Sequence, residues 1–240
     1  TPTTSPSLHL TINGAYNTLN NKVLDLHGTA PFAISGYGAS TVQGIVEEGY
    51  PVGYLRGANA IFGPDGKIIE IKQLQYLGKP TPDKFGSFGA TLGLGSRLTL
   101  STSADYQFGA QQQSFDRAFR FLNGVAGTAD YVPAAAVTQY GTRAAVWQLV
   151  MNQWVENTDY VAIRTLTVDY KLGDRYLPRL VQGARVSFSV SNPRRWASSH
   201  WDPETDLATA SEQGGAAIGG YNYATDSSPR TFLFTFRRGF

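Results

Sequence analysis

The chain has 240 residues, with 20 Lys+Arg against 18 Asp+Glu and no cysteine. A formal net charge of +2 is too small to point to nucleic acid or an acidic membrane surface, and zero Cys excludes disulfides, thiolate zinc sites and thiol catalysis. Charged residues are 16%, against roughly 25% in ordinary soluble domains, while mean hydropathy is -0.22, so the chain is less charged than a soluble enzyme and less apolar than a helical membrane protein.

The start, Thr1 to Ser7, has no Met, no basic residue and no apolar core. It is not a signal peptide, and the chain is expected to be processed or a piece of something longer. Leu8, Leu10, Ile12 and Tyr16 then alternate with His9, Thr11, Asn13 and Asn17, the period of a half-buried strand. A second, less regular run is Val52, Tyr54, Ala58, Ala60 and Phe62, with Leu55 and Ile61 off parity. Phe88, Ala90, Leu92 and Leu94 form a third, and Leu98, Leu100, Ala104, Tyr106 and Phe108 a fourth. Phe115, Phe119 and Leu122 sit at helical spacing, and Ala144 to Trp154 reads as a second helical stretch. The longest apolar patch, Ala144 to Met151, is far short of the ~18 residues of a membrane-spanning helix. Leu166, Val168 and Tyr170 resume the alternation, followed by Ala184, Val186, Phe188 and Val190, and then by Phe232, Phe234, Phe236 and Phe240.

These are seven strand candidates, most of nine or more residues. Ordinary strands average about 5–6, and tilted membrane-crossing strands need about 9–11. The polar parity carries Ser, Thr, Asn, Gln and Gly rather than Lys and Glu. That suits a water-filled lumen better than the solvent face of a sandwich. Tyr16, Tyr106 with Phe108, and Tyr170 stand near strand ends, as an interfacial girdle requires. Connections alternate in length: Gly95 to Arg97 is short, while 63–85, 109–158 and 192–229 are long. The segment 18–49 is also long but falls on the short-turn side.

In order and spacing, the motifs resemble the C-terminal part of a TonB-dependent outer-membrane transporter of the SusC/RagA group. The resemblance covers nearly the whole chain. It is carried by Ala15 to Leu24, Glu48-Gly49-Tyr50-Pro51 through Gly57, Pro64-Asp65-Gly66-Lys67, Leu77 to Phe85, Tyr160 to Tyr170, Asp202-Pro203-Glu204, and Pro229-Arg230-Thr231-Phe232 through Phe240. Asn192-Pro193-Arg194 departs from the usual Asn-Leu-Phe, and the Asp-rich turn is reduced to Asp65-Gly66. The resemblance implies an all-β, antiparallel transmembrane barrel of about 22 strands. Residues 1–240 would then be its last seven or so, with long extracellular loops and without the plug domain. Residues 109–158 and 192–229 would lie outside the cell and 18–49 in the periplasm. The implied location is the bacterial outer membrane. The implied partners are the TonB complex through the plug, a SusD-like surface lipoprotein, the barrel-assembly machinery and outer-membrane lipid.

No catalytic constellation stands out. His9, His27 and His200 lack metal-ligand spacing and read as polar lumen or loop residues. Asp202, Glu204 and Asp206 read as a turn-forming loop, with cation binding as the alternative. Gly36-Tyr37-Gly38 lacks the strand and helix of a dinucleotide loop. No enzyme activity, metal or cofactor is expected. Trp196, Trp201, Tyr221 and Tyr223 cluster in a loop assigned to the outside. They read as contacts for ligand or a lipoprotein lid, or as loop self-packing. Phe232, Phe234, Phe236 and Phe240 face lipid, and the family's terminal-Phe strand also signals barrel assembly. The function expected is import of a large nutrient such as an oligosaccharide or peptide. A passive porin or adhesin barrel and a soluble carbohydrate-binding sandwich are the alternatives.

Overall fold

The computed structural model describes residues 7–36, 41–125, 127, 131–173, 183–205 and 219–238. Six long strands form one antiparallel sheet: β1 (Leu8–Thr18), β6 (Lys84–Leu94), β7 (Leu98–Phe108), β10 (Tyr160–Lys171), β11 (Arg185–Ala197) and β13 (Thr231–Arg237), paired in that order. Six of the seven alternating runs lie in this wall. It is open among the described residues, because β1 pairs only with β6 and β13 only with β11. Closure into a barrel is therefore not seen.

Register accounts for the alternation. Directly opposed residues of antiparallel strands point to the same face. Leu10 opposes Leu92, Leu92 opposes Leu100, Leu100 opposes Val168, Val168 opposes Phe188, and Phe188 opposes Phe234. One unbroken apolar row thus crosses all six strands. Among the described residues no second layer covers it, and Phe234 is 68% exposed. The opposite face runs through Thr11, Thr91, Ser101, Thr167, Ser189 and Leu233. Its hydroxyls pair across strands, Ser103 with Thr165 at 2.7 Å and Thr167 with Ser189 at 2.8 Å.

The run at 52–62 is a correction. It forms β4 (Tyr54–Phe62), outside the wall, in a sheet ordered β2 (Phe32–Ser35), β3 (Gln43–Val46), β4, β5 (Ile68–Gly78). The off-parity residues explain it, since β4 is covered on both faces and Leu55 is fully buried. β5 was hidden inside an expected loop. Its alternation is broken by register shifts against β4 and by Leu74, whose φ is 55°. Pro64-Asp65-Gly66-Lys67 is the hairpin turn between them: Gly63 N–H donates to the Lys67 carbonyl at 2.8 Å, Lys67 N–H donates to Asp65 Oδ1 at 3.1 Å, and Gly66 takes φ 77°.

With six wall strands the connections sort differently. Thr18 opposes Lys84, Lys84 opposes Phe108, and Tyr160 opposes both Gln107 and Ala197. Residues 19–83, 109–159 and 198–230 therefore all leave from one rim. The expected placement of 18–49 on the opposite side from 109–158 and 192–229 is overturned, because all three segments leave from one rim. The opposite rim has Gly95 to Arg97 and the link between β10 and β11, much of which (174–182) lies outside the described residues.

The three connections build the core. α1 (Phe115–Leu122) forms as its spacing predicts, with Ser114 capping Arg117 N–H at 3.1 Å. The stretch 144–154 is not one helix but α3 (Arg143–Val146) and a 3-10 turn, Met151–Trp154. α2 (Ala134–Tyr140) was not anticipated. Ala60, Ile68, Ala118, Phe121, Val146 and Trp154 pack together across the first and second connections. Asn152 copies a neighbouring strand, accepting from Ala60 N–H and donating to the Ala60 carbonyl, each at 3.1 Å. β12 (Tyr221–Asn222) of the third connection pairs in parallel with β8 (Gln111–Ser114) of the second, and β9 (Val155–Asn157) flanks β8.

Candidate functional site

The polar face of the wall meets the third connection at a bulge. Pairing shifts between Ile163 and Thr165 on both sides of β10. The extra residue, Arg164, breaks the parity of the strand, so Val161 and Ile163 rejoin the apolar face although Leu166 and Val168 are of opposite parity. The bulge also aims the guanidinium inward. Arg164 Nη2 donates to Asp105 Oδ2 at 2.7 Å, with a second contact from Nε to Asp105 Oδ1. Arg164 Nη1 donates to Glu204 Oε2 at 2.8 Å. Arg195, one strand over, contacts Asp202 and reaches Glu204 Oε2 at 2.9 Å.

Asp202-Pro203-Glu204 is thus a clasp. Two wall arginines hold its two carboxylates, and Asp105 backs one of them. Burial by itself would raise the Asp202 pKa. Hydrogen bonds from Arg195 and from the Glu204 N–H outweigh that and hold it below its ordinary 3.8. Both described carboxylates are neutralised by guanidinium, no cluster of three metal-ligating side chains exists among the described residues, and Asp206 lies outside them.

Beside the clasp, α1, β12 and the third connection enclose a polar cavity of about 380 Å³ lined by Asp116, Arg117, Tyr131, His200, Trp201 and Asn222, among others. Arg117 pairs with Glu156 and lies 4.3 Å over the Tyr131 ring. His200 Nδ1 is 2.9 Å from Glu156 Oε2, so it makes a hydrogen-bonding contact between the loops. His9 contacts Thr11 Oγ1 at 3.2 Å on the polar face, and His27 faces Asp25 at 3.3 Å. Gly36 follows β2 as a connection, while Tyr37 and Gly38 lie outside the described residues.

The four loop aromatics separate. Tyr221 is 2% exposed, stacked on Phe115 at 5.5 Å, and its hydroxyl donates to the Val42 carbonyl at 3.2 Å. It closes the core between the first and third connections and is shielded from any ligand. Trp201 is half-buried over the polar cavity and donates to Gln112 Oε1 at 3.1 Å. Tyr223 is 40% exposed and set edge-on to Phe115 and Phe119. Trp196 belongs to the wall, not to the loop. It opposes Val161, which opposes Tyr106, which opposes Gly86, which opposes Tyr16. Tyr16, Tyr106 and Trp196 therefore form an aromatic row on the apolar face, at the rim of the long connections. Gly86 is required there: a Cβ would meet the Ala15 carbonyl and lie 2.6 Å from the Tyr106 hydroxyl. Phe232, Phe234 and Phe236 stand on the apolar face of β13, while Phe240 lies outside the described residues.

Sequence reasoning missed a tyrosine cluster on the first connection. Tyr50, Tyr54 and Tyr76 lie within 26° of parallel, with centroids 4.6 to 6.1 Å apart. Burial and the contact with Glu47 push the Tyr54 phenol up to about 12. Only Tyr50 and Tyr54 belong to one motif, so the cluster is a product of the β4–β5 pairing.

No protein-family model matches the sequence, and no curated protein does. Solved structures do. A chain of the RagAB peptide importer in its open-open state matches with a TM-score of 0.65 at 15% identity, over 97% of this chain and 27% of that one. The closed-closed state of the same importer gives 0.61 at 14% identity, over 95% and 27%. A further structure of the RagAB peptide transporter gives 0.65 at 15%, over 95% and 26%. The likeness is one of fold. This chain spans about a quarter of the length of those chains, which are described as a peptide importer or peptide transporter.

Proposed function

We propose that this chain forms part of the wall and the substrate-facing loops of a TonB-dependent outer-membrane importer of the SusC/RagA kind. The carrying observation is the wall itself. An uncovered apolar face spans six strands on one side, a hydroxyl-lined face lies on the other, and an aromatic row marks one rim. Contiguous apolar surface beyond a few hundred Å² on a soluble protein marks an interaction site, and a face of this extent between an aromatic rim and a polar lumen suits lipid. A sandwich would bury that face under a second sheet. The likeness to RagAB supports a nutrient of peptide or oligosaccharide size. The barrel does no covalent chemistry. It offers a selective lumen and loops, while a plug outside this chain couples to TonB.

In this reading the long-connection rim is extracellular. Trp201 and Tyr223 are the aromatics available to a ligand or to a SusD-like lipoprotein. Trp196 sits at headgroup depth, and the β13 phenylalanines serve lipid contact and recognition by the assembly machinery. Cells lacking the gene are expected to lose uptake of labelled oligopeptides or oligosaccharides while small solutes still enter. Uptake that depends on this gene but persists when TonB is removed would make the protein a passive pore instead.

A further inference from the structure

One end of the wall carries positive charge on the wrong face for a lumen. Arg194 opposes Ile163, Ile163 opposes Ala104, and Ala104 opposes Phe88, so Arg194 stands in the apolar rows. Its guanidinium lies 5.5 Å over the Trp196 ring, at the level of the aromatic row. β13 pairs with β11 only as far as Ser191. Beyond that point the chain leading into β13 runs beside the free edge of β11. There Asn192 Nδ2 donates to the Pro229 carbonyl at 3.2 Å, and Arg230 Nη2 donates to the Pro193 carbonyl at 2.7 Å. A recess of about 220 Å³ lies along this edge, and Asn192, Arg194, Ser227, Ser228 and Arg230 help line it.

Charge balance distinguishes the two ends of the recess. At the inner end, Arg164 and Arg195 are consumed by Asp105, Asp202 and Glu204. At the outer end, neither Arg194 nor Arg230 pairs with a carboxylate among the described residues. Two guanidinium groups are thus held in place, one by a ring and one by a carbonyl, beside Ser228, while the Ser227 hydroxyl donates to Asp202 towards the inner end. Guanidinium forks match the geometry of phosphate oxygens, and basic pockets at headgroup depth take anionic headgroups.

We propose that this recess binds the phosphate group of a membrane-lipid headgroup, in the leaflet reached by the long-connection rim. The inference rests on the outer-membrane reading above. Arg194 is placed for it because it faces away from the lumen, where a transported substrate would pass.

The test is native mass spectrometry of the whole protein, extracted from its membrane in mild detergent. The wild type is expected to retain a phosphorylated lipid. Arg194→Gln with Arg230→Gln should retain it about 10- to 30-fold less, while Arg185→Gln, on the opposite rim, should retain it as the wild type does. Adding a lipid with an unphosphorylated headgroup should not displace it. Equal retention by the wild type and the double variant would overturn the site. Inorganic phosphate bound at this recess with no lipid retained would overturn the lipid assignment in favour of a soluble anion. A wild-type protein never recovered in the membrane fraction would overturn the outer-membrane reading itself, and the site with it. To separate loss of the site from misfolding, the double variant must reach the membrane at wild-type level, and Arg194→Lys with Arg230→Lys should restore part of the retention.

Discussion

At the residue scale, Arg164 shows how one inserted position serves two purposes. The bulge that delivers its guanidinium to Asp105 and Glu204 also returns Val161 and Ile163 to the apolar face. Side chains of the clasp are about a quarter exposed or less, so its ion pairs are screened less than surface pairs but more than buried ones. Glu204→Gln is expected to weaken the docking of the third connection by about 1–2 kcal/mol, seen as faster protease cleavage in 198–205. Acid should do the same. Asp202 titrates below its ordinary 3.8, so its contribution is complete above that pH and is lost as the pH falls through the depressed value. Cleavage that is unchanged across that range, or in Glu204→Gln, would show that the clasp does not hold the loop.

At the scale of elements, the wall strands were legible because an uncovered sheet keeps a strict period of two. Of the core strands, β4 was legible only as a blurred run and β5 not at all. β4 is covered on both faces, so both its parities carry apolar side chains, while β5 is interrupted by register shifts and by Leu74. The wall makes a sharp prediction. Phe234 opposes Phe188 on the apolar face, and its neighbour Thr235 opposes Ser187 on the polar face. Phe234→Arg should cost about 2–4 kcal/mol of folding into lipid, measured by denaturant titration in bilayers, and Thr235→Arg should cost far less. Equal costs would mean that the two faces of β13 do not see different solvents.

At the scale of the whole molecule, among the described residues the sheet has two unpaired edges, β1 and β13, and an apolar face with nothing on it. Both are aggregation hazards in water. Produced alone, residues 1–240 should require detergent to stay dispersed. A monodisperse, detergent-free monomer of 26.0 kDa in size-exclusion chromatography would contradict a wall that faces lipid. The three long connections carry the hydrophobic core instead, so the part of the chain that folds like a globular domain is the part that reads as loops.

Composition, charge and parity by themselves determined the β class, the six wall strands, the contrast between their apolar and polar faces and the α1 helix. They did so because each is a local or periodic property of the chain. Only the tertiary structure decided which rim the 19–83 connection leaves from, that Tyr221 is a core residue, that Trp196 belongs to the aromatic row, and that Asp202 and Glu204 answer Arg164 and Arg195. Those depend on register and on contacts between residues tens of positions apart, and period-two alternation carries no information about which strand lies beside which. The opening combination of low charge and modest hydropathy follows from both levels. Alternate wall residues point to an apolar and to a polar face, and the apolar side chains that remain are spent inside the loops.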